Sequence, residues 1–340
     1  MEQVDLQRYE VTGLLGMGAD YEVRAAIDRD TGRQVVLKRP SPETLRHRLH
    51  DGIAARTERL LQAYQAVGHR VPTVSVLHGY TEHANHDAYF GETFGQTYRV
   101  TVEERALGVP LMADIKARFT GVPIGLGQNL FALFPLLPPP QAPALAVQQQ
   151  LLDLEEAFFD AGYILLDLRP HNVFYQPATG HLTVIDCGAL AEVNGAPSRR
   201  GMRPPDIHDF YLEMLKFYAT PQAPPTQASG YRDPYGLRPV VNFERELDQM
   251  AQQFRAVADV QVQEAARTLI AQVRQRTYST FQDFRRDFTA YLATVQAAHQ
   301  RLPQQDEAQQ AWREALTWLR AEYWQRYLFD PSSALAGFAV

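Results

Sequence analysis

The chain has 340 residues, more than a single hydrophobic core usually serves, so two lobes or domains are expected. Its 45% hydrophobic and 21% charged content is that of an ordinary globular protein, and a formal net charge of -6 offers no basic footprint for nucleic acid. The single Cys187 excludes an internal disulfide framework and a multi-cysteine zinc site, and suits a reducing cytosol.

The acidic, polar start MEQVDLQRYE leads to the expectation that no secretory signal is present. The most apolar stretch, 129 to 140, is short and broken by prolines, so a soluble, cytoplasmic protein without a membrane span is expected. Tyr9 to Leu15, Tyr21 to Ile27 and Gln34 to Lys38 read as strands, with turn signals at the glycine-containing loop and at DRDTGR. From Pro42 to Val67 the period becomes helical, with Gly52 as a dividing point. Val74 to Tyr80 and Thr97 to Glu103 read as two further strands. After Gly108 helices dominate, interrupted by an irregular Gly- and Pro-rich insertion at 120 to 146. Val147, Leu151, Leu154 and Phe158 then mark an amphipathic helix that stops at Gly162.

Next comes ILLDLRPHNVFY, 164 to 175, which sets Asp167, Arg169, His171 and Asn172 between apolar shoulders. A hairpin follows, its strands Val173 to Tyr175 and Leu182 to Ile185 joined by PATG. Later helices are expected at Asp209 to Tyr218, about 242 to 274, and 280 to 295, the last with a capping box of Ser279 and Gln282. A final amphipathic helix, 304 to 327, carries Trp312 and Trp324 and is expected either to dock back on the larger lobe or to bind a partner.

Chemistry concentrates in a few of these places. A hairpin returns its second strand beside its first, so Asp186 is expected near Asn172. Two such oxygen donors suit Mg²⁺, a hard cation usually held by few protein ligands plus phosphates. Asp167 is placed to orient a hydroxyl and accept its proton. Gly16 and Gly18 sit in a turn between two strands, where backbone N–H groups can approach phosphate oxygens. Lys38 ends the next strand within reach of phosphates, and Glu58, on the following helix, is a candidate partner for it.

In this order these residues resemble the protein-kinase-like superfamily, and bacterial Ser/Thr protein kinases in particular. LDLRPHN (166 to 172) is similar to RDLKPEN, DCG (186 to 188) to DFG, and RTYSTFQDFRRDF (276 to 288) to the family's last helical region. The resemblance implies an α+β, bilobal fold: a small antiparallel β-sheet lobe with one main helix at 1–104, then a larger, mostly helical lobe at 105–295. A helical extension at 296–340 would follow. It implies ATP and Mg²⁺ as cofactors, with Lys38, Glu58, Asp167 and Arg169 as catalytic residues and Asn172 and Asp186 on the metal. Leu15, Gly16, Gly18, Val23, Val36, Lys38, Glu103 and Phe174 would surround the nucleotide. Val102 would gate the back of the pocket, and Asp209 would brace the catalytic loop.

Several positions depart from that pattern. Leu165 and Leu166 replace the histidine and arginine before the catalytic aspartate, which removes the usual partner of an activation-loop phosphate. Arg169 replaces a lysine, and Tyr21 the third loop glycine. Asp20 brings a carboxylate towards the phosphates, and Val36 narrows the adenine site. RPP (203 to 205) lacks the glutamate of the family's Ala-Pro-Glu anchor, while Arg199, Arg200 and Arg203 make that segment basic. His83 and His86 read as a polar loop rather than a zinc pair, and Cys187 as a packing residue. The leading expectation is a Ser/Thr-type phosphotransferase. A pseudokinase serving as a nucleotide-binding or scaffold protein and a kinase of a small hydroxylated substrate stand as alternatives, with substrate class open between protein and small molecule.

Overall fold

A computed structural model describes residues 2–18, 20–47, 50–67, 70–107, 109–110, 143–169, 172–176, 181–195, 204–219, 243–255, 257 and 259–300. Most of the insertion at 120–146, the PATG turn, Ser198, Arg199, Arg200, Arg203, His171 and the helix expected at 304–327 lie outside these residues. The chain divides into two compact units, Met1–Ala106 and Leu107–Val340.

The first unit is built on a six-stranded sheet of order β1-β5-β6-β4-β3-β2. Its strands are β1 (Glu2–Gln3), β2 (Tyr9–Met17), β3 (Tyr21–Asp28), β4 (Gln34–Pro40), β5 (Leu77–Tyr80) and β6 (Thr101–Glu104). All neighbours are antiparallel except β1 with β5. That parallel edge was not foreseen, and Gly79 permits it. A Cβ there would lie 2.6 Å from a Val4 methyl carbon and 2.8 Å from the Glu2 carbonyl oxygen.

The β3–β4 turn is fixed by Asp28, whose carboxylate accepts from Arg8 (2.6 and 2.7 Å), the Thr31 hydroxyl (2.8 Å) and the Asp30 N–H (3.0 Å). The Arg8 guanidinium holds that carboxyl well below the usual carboxylate range. Gly32 takes the positive φ of 69° that closes the turn. One sheet face packs Ala26, Val35, Leu37 and Val102 with Leu45, Phe90 and Tyr98 into a core.

Ser41 caps α1 (Pro42–Arg46) by accepting the Thr44 N–H, with Pro42 at the start where its missing N–H costs nothing. The helical stretch expected from Pro42 to Val67 thus becomes two helices. It divides at His47, before α2 (His50–Val67), and Gly52 lies inside α2. Between β5 and β6 runs a long connection containing α3 (Asp87–Phe90).

The second unit begins with β7 (Val109–Pro110), which pairs with β9 (Val173–Gln176). The expected amphipathic helix is α4 (Pro143–Asp160), and Val147, Leu151, Leu154 and Phe158 are fully buried along its inner stripe. Gly162 ends it at φ 90°, donating to the Phe159 carbonyl. Then follow β8 (Tyr163–Leu165), the β9–β10 hairpin with β10 at His181–Val184, and β11 (Leu190–Glu192) paired with β8.

Four helices complete the described part: α5 (Ile207–Tyr218), α6 (Phe243–Arg255), α7 (Val260–Gln275) and α8 (Phe281–Gln300). The single helix expected near 242 to 274 is split because Asp259 caps a new one, accepting from the Gln261 and Val262 N–H groups. Likewise α8 is capped by Thr280 accepting from Asp283 N–H, one residue beyond the expected Ser279–Gln282 box. It runs past 295, so the proposed start of an extension at 296 falls within a helix. Tyr211 stacks on Phe284 at 3.9 Å, with Phe281 and Tyr278 around them, joining α5 to α8. An antiparallel-rich sheet followed by helices is a mixed α/β architecture compatible with a kinase-like fold.

Candidate active site

In the first unit, strand register gathers the expected nucleotide residues. Gly16 stands opposite Val23, Val23 opposite Lys38, and Lys38 opposite Thr101. Val36, two residues before Lys38, stands opposite Glu103. Directly opposed and alternate residues share a sheet face, so Gly16, Val23, Val36, Lys38 and Glu103 line one side of the sheet. Leu15 immediately precedes Gly16 and is half-buried. Glu103 accepts from the Thr101 hydroxyl at 2.9 Å. Gly18 donates its N–H to the Tyr21 carbonyl at 2.8 Å, and the space where a Gly16 Cβ would stand is open. Val102, expected to gate a pocket, belongs to the core on the opposite face, because it is one residue out of step with Glu103.

Lys38 is buried, with Nζ 4.5 Å from the centre of the Tyr21 ring. The Tyr21 hydroxyl reaches Thr57 on α2 at 3.4 Å. Glu58, the expected partner of Lys38, instead pairs with Arg99 and is largely exposed. Neighbouring helical residues differ in direction by roughly 100°, and it is Thr57 that faces Tyr21. Asp20, a possible source of repulsion towards phosphates, is ion-paired with Arg56 at 2.8 Å.

In the second unit, the polar centre of ILLDLRPHNVFY is held from several sides. Asp167 adopts φ 63° and Asp186 φ 59°, left-handed conformations that a non-glycine residue keeps only when its surroundings enforce them. The Asn172 side-chain NH₂ donates to the Asp167 carbonyl at 3.0 Å, and the Asn172 N–H to the Arg169 carbonyl at 2.8 Å. Across the hairpin, the Ile185 N–H donates to the Asn172 carbonyl at 2.8 Å, which brings Asp186 beside Asn172. Arg169 pairs with the Asp167 carboxylate at 2.8 Å. Phe174 is half-buried on β9, between Pro110 of β7 and Thr183 of β10. Cys187 is buried against the Val184 carbonyl.

Three supporting residues were not anticipated. Glu213 of α5 accepts the Asp167 N–H at 3.1 Å and the Leu168 N–H at 2.9 Å. Tyr218, a turn later, donates to the Leu168 carbonyl at 2.5 Å. Glu155 of α4 accepts the Leu165 N–H at 3.1 Å. Burial pushes the Glu213 carboxyl up to about 8, with Asp167 repelling its charge as a second cause and the two N–H groups opposing both. Burial likewise raises Glu155 well above the ordinary range. The available signal was a carboxylate inside an apolar helical run, FYLEML and LDLEEAFF, which ordinarily requires a partner. Asp209 accepts the Asp206 N–H at 2.7 Å and so closes the capping box of α5.

Asp206 follows Pro205, caps α5, and takes both of its carboxylate oxygens to Arg276. Arg276 ends α7 in a left-handed conformation at φ 54°.

As a metal site, Asn172 and Asp186 fit Mg²⁺ better than a cation needing a full protein cage. The bond through its NH₂ fixes which end of the Asn172 amide is oxygen, and the hairpin sets that residue beside Asp186. Among the described residues no group of three or more His, Cys, Asp or Glu side chains could hold a metal alone. Few protein oxygens completed by phosphates is the Mg²⁺ pattern. His86 spends its Nε2 on Thr81 (2.9 Å) and the Glu82 carbonyl (3.1 Å), a loop-bracing role. Among the described residues, no helix is long and apolar enough to cross a membrane.

Sequence comparison supports a relation to the protein-kinase-like superfamily, although no family model matches the chain. The chain is 30% identical over 199 residues to the putative cyclin-dependent kinase F-2 of Oryza sativa subsp. japonica. That match covers 56% of this chain and 50% of the relative, so the chain spans about half the length of the curated relative it matches.

Proposed function

We propose that this chain is an ATP- and Mg²⁺-dependent phosphotransferase of the Ser/Thr protein kinase type. The observation that carries the reading is the locked loop: Asp167 and Asn172 tied to each other, with Asp186 drawn beside them across the hairpin. The partial similarity to a putative cyclin-dependent kinase supports it.

Asp167 would accept the proton of the substrate hydroxyl as its oxygen forms the new bond to the γ-phosphorus of ATP. The bond from that phosphorus to the bridging oxygen breaks, and ADP leaves with the electron pair. Asn172 and Asp186 would hold Mg²⁺, which neutralises charge on the phosphates. Lys38 and the backbone around Gly16 and Gly18 would engage the phosphates, with Leu15, Val23, Val36, Glu103 and Phe174 about the nucleotide. Arg169, whose Nε is ion-paired with the Asp167 carboxylate, would orient that carboxylate and bring positive charge to the transferred phosphoryl group.

Labelled ATP with Mg²⁺ should give phosphate transfer that Asp167→Ala reduces by about 10²-fold or more while the protein stays folded. Equal transfer by the variant would remove Asp167 from its role. A pseudokinase is the second reading, favoured by the pairing of Glu58 with Arg99. It predicts no turnover, with a thermal shift by ATP–Mg²⁺ if the chain is a nucleotide-binding scaffold and none if it is a scaffold alone.

A further inference from the structure

We propose that Arg56 is a second phosphate-binding cation in the first unit, held by Asp20 until an anionic ligand takes the place of that carboxylate. This role presupposes the nucleotide reading above and adds to it a residue that the family resemblance did not supply.

Arg56 lies on α2 beside Thr57, the residue that meets the Tyr21 hydroxyl. Its guanidinium carbon is 5.7 Å from the centre of the Tyr21 ring, and Lys38 Nζ is 4.5 Å from the same centre. Tyr21, standing where the family has a loop glycine, therefore collects two cations about one ring. The face of an aromatic ring attracts each cation, but two like charges sharing poorly hydrated space repel. The Asp20 carboxylate, 2.8 Å from Arg56, offsets part of that repulsion. A nucleoside triphosphate carries enough negative charge to take the place of the Asp20 carboxylate beside Arg56.

The loop geometry suits such an exchange. Asp20 sits in the β2–β3 loop with Gly18, whose N–H closes onto Tyr21. The loop expected over the phosphates therefore carries the carboxylate that now occupies the cation. A guanidinium fork fits phosphate as well as carboxylate, so Arg56 can change partners without losing its hydrogen bonds. The Asp20 side chain is 33% exposed against 12% for Arg56, so on release it is the carboxylate that regains water.

The experiment is calorimetric titration of ATP–Mg²⁺, and separately of inorganic tripolyphosphate, into full-length wild type, Asp20→Asn, Arg56→Gln, Arg56→Lys and the Asp20→Asn/Arg56→Gln double variant. Asp20→Asn should tighten binding several-fold. Arg56→Gln should weaken it about tenfold, as loss of a charge-assisted hydrogen bond does, with Arg56→Lys between it and wild type. The double variant should match Arg56→Gln alone, because Asp20 acts through Arg56. Wild-type ATP affinity in Asp20→Asn and Arg56→Gln would overturn the proposal and leave the nucleotide reading standing. Arg56-dependent binding of tripolyphosphate without ATP binding would keep Arg56 as an anion ligand and overturn the nucleotide reading. No binding of either ligand by wild type would overturn both. Should Arg56→Gln fail to fold, unchanged affinity in Asp20→Asn and Arg56→Lys would be decisive against it.

Discussion

Asp167 and Asp186 share a property that separates them from the other carboxylates among the described residues: both hold left-handed backbone conformations. Each costs on the order of 1 kcal/mol in an L-residue, and neighbouring bonds must hold it in place. For Asp167 that restraint comes from Asn172, Arg169 and the buried carboxylate of Glu213. Glu213 gives the loop a pH dependence whose sign follows from its raised position. Its carboxyl titrates near 8 when folded and near its ordinary lower value when unfolded, so between the two the unfolded chain binds fewer protons. The stability it contributes is complete at the acidic end and is lost as pH rises through 8. Glu213→Gln should flatten the decline in unfolding free energy across that window, which reaches at most about 1.4 kcal/mol per pH unit for one group. Urea titrations of both proteins at several pH values test this, and parallel curves would exclude Glu213 as the titrating group.

Among the elements, the junction of α5 and α7 shows how one side chain can serve two purposes. Asp206 caps α5 through the His208 N–H and also receives Arg276. Asparagine caps helices about as well as aspartate but cannot form the ion pair, whereas alanine does neither. Asp206→Asn should therefore lose only the partly exposed pair, and Asp206→Ala about 1 kcal/mol more, read from thermal or urea denaturation. Equal losses would mean that the cap contributes nothing. Strand and helix periods made the β2–β3–β4 hairpins and α4 legible, since Val147, Leu151, Leu154 and Phe158 alternate as a helix face must. The breaks at His47 and before Asp259 were not, because capping depends on which side-chain oxygen actually turns back to the backbone. In the candidate site, the approach of Asp167, Asn172 and Asp186 to one another was legible from their spacing across the loop and hairpin. The site was misread at Glu58, where adjacent helical residues point in different directions, and Glu213 was missed because its partners lie 45 and 46 positions away in sequence.

At the scale of the whole molecule, the expected parts are divided between the two units. Met1–Ala106 holds Lys38, Gly18 and Gly16, the last within β2 and not in the turn expected for it, and Leu107–Val340 holds Asp167, Asn172 and Asp186. Under the proposed function ATP–Mg²⁺ is the ligand to test. A ligand that binds only the folded state raises its stability by about 2.7 kcal/mol at one hundred times its Kd. The most direct test follows ATP–Mg²⁺ binding by thermal shift and labelled phosphate transfer in the same samples, for wild type beside Lys38→Met. The account predicts a concentration-dependent rise in Tm with transfer in wild type, and loss of transfer with a weakened shift in Lys38→Met. A wild type that neither shifts nor transfers, or a Lys38→Met variant that does both as well as wild type, would contradict it.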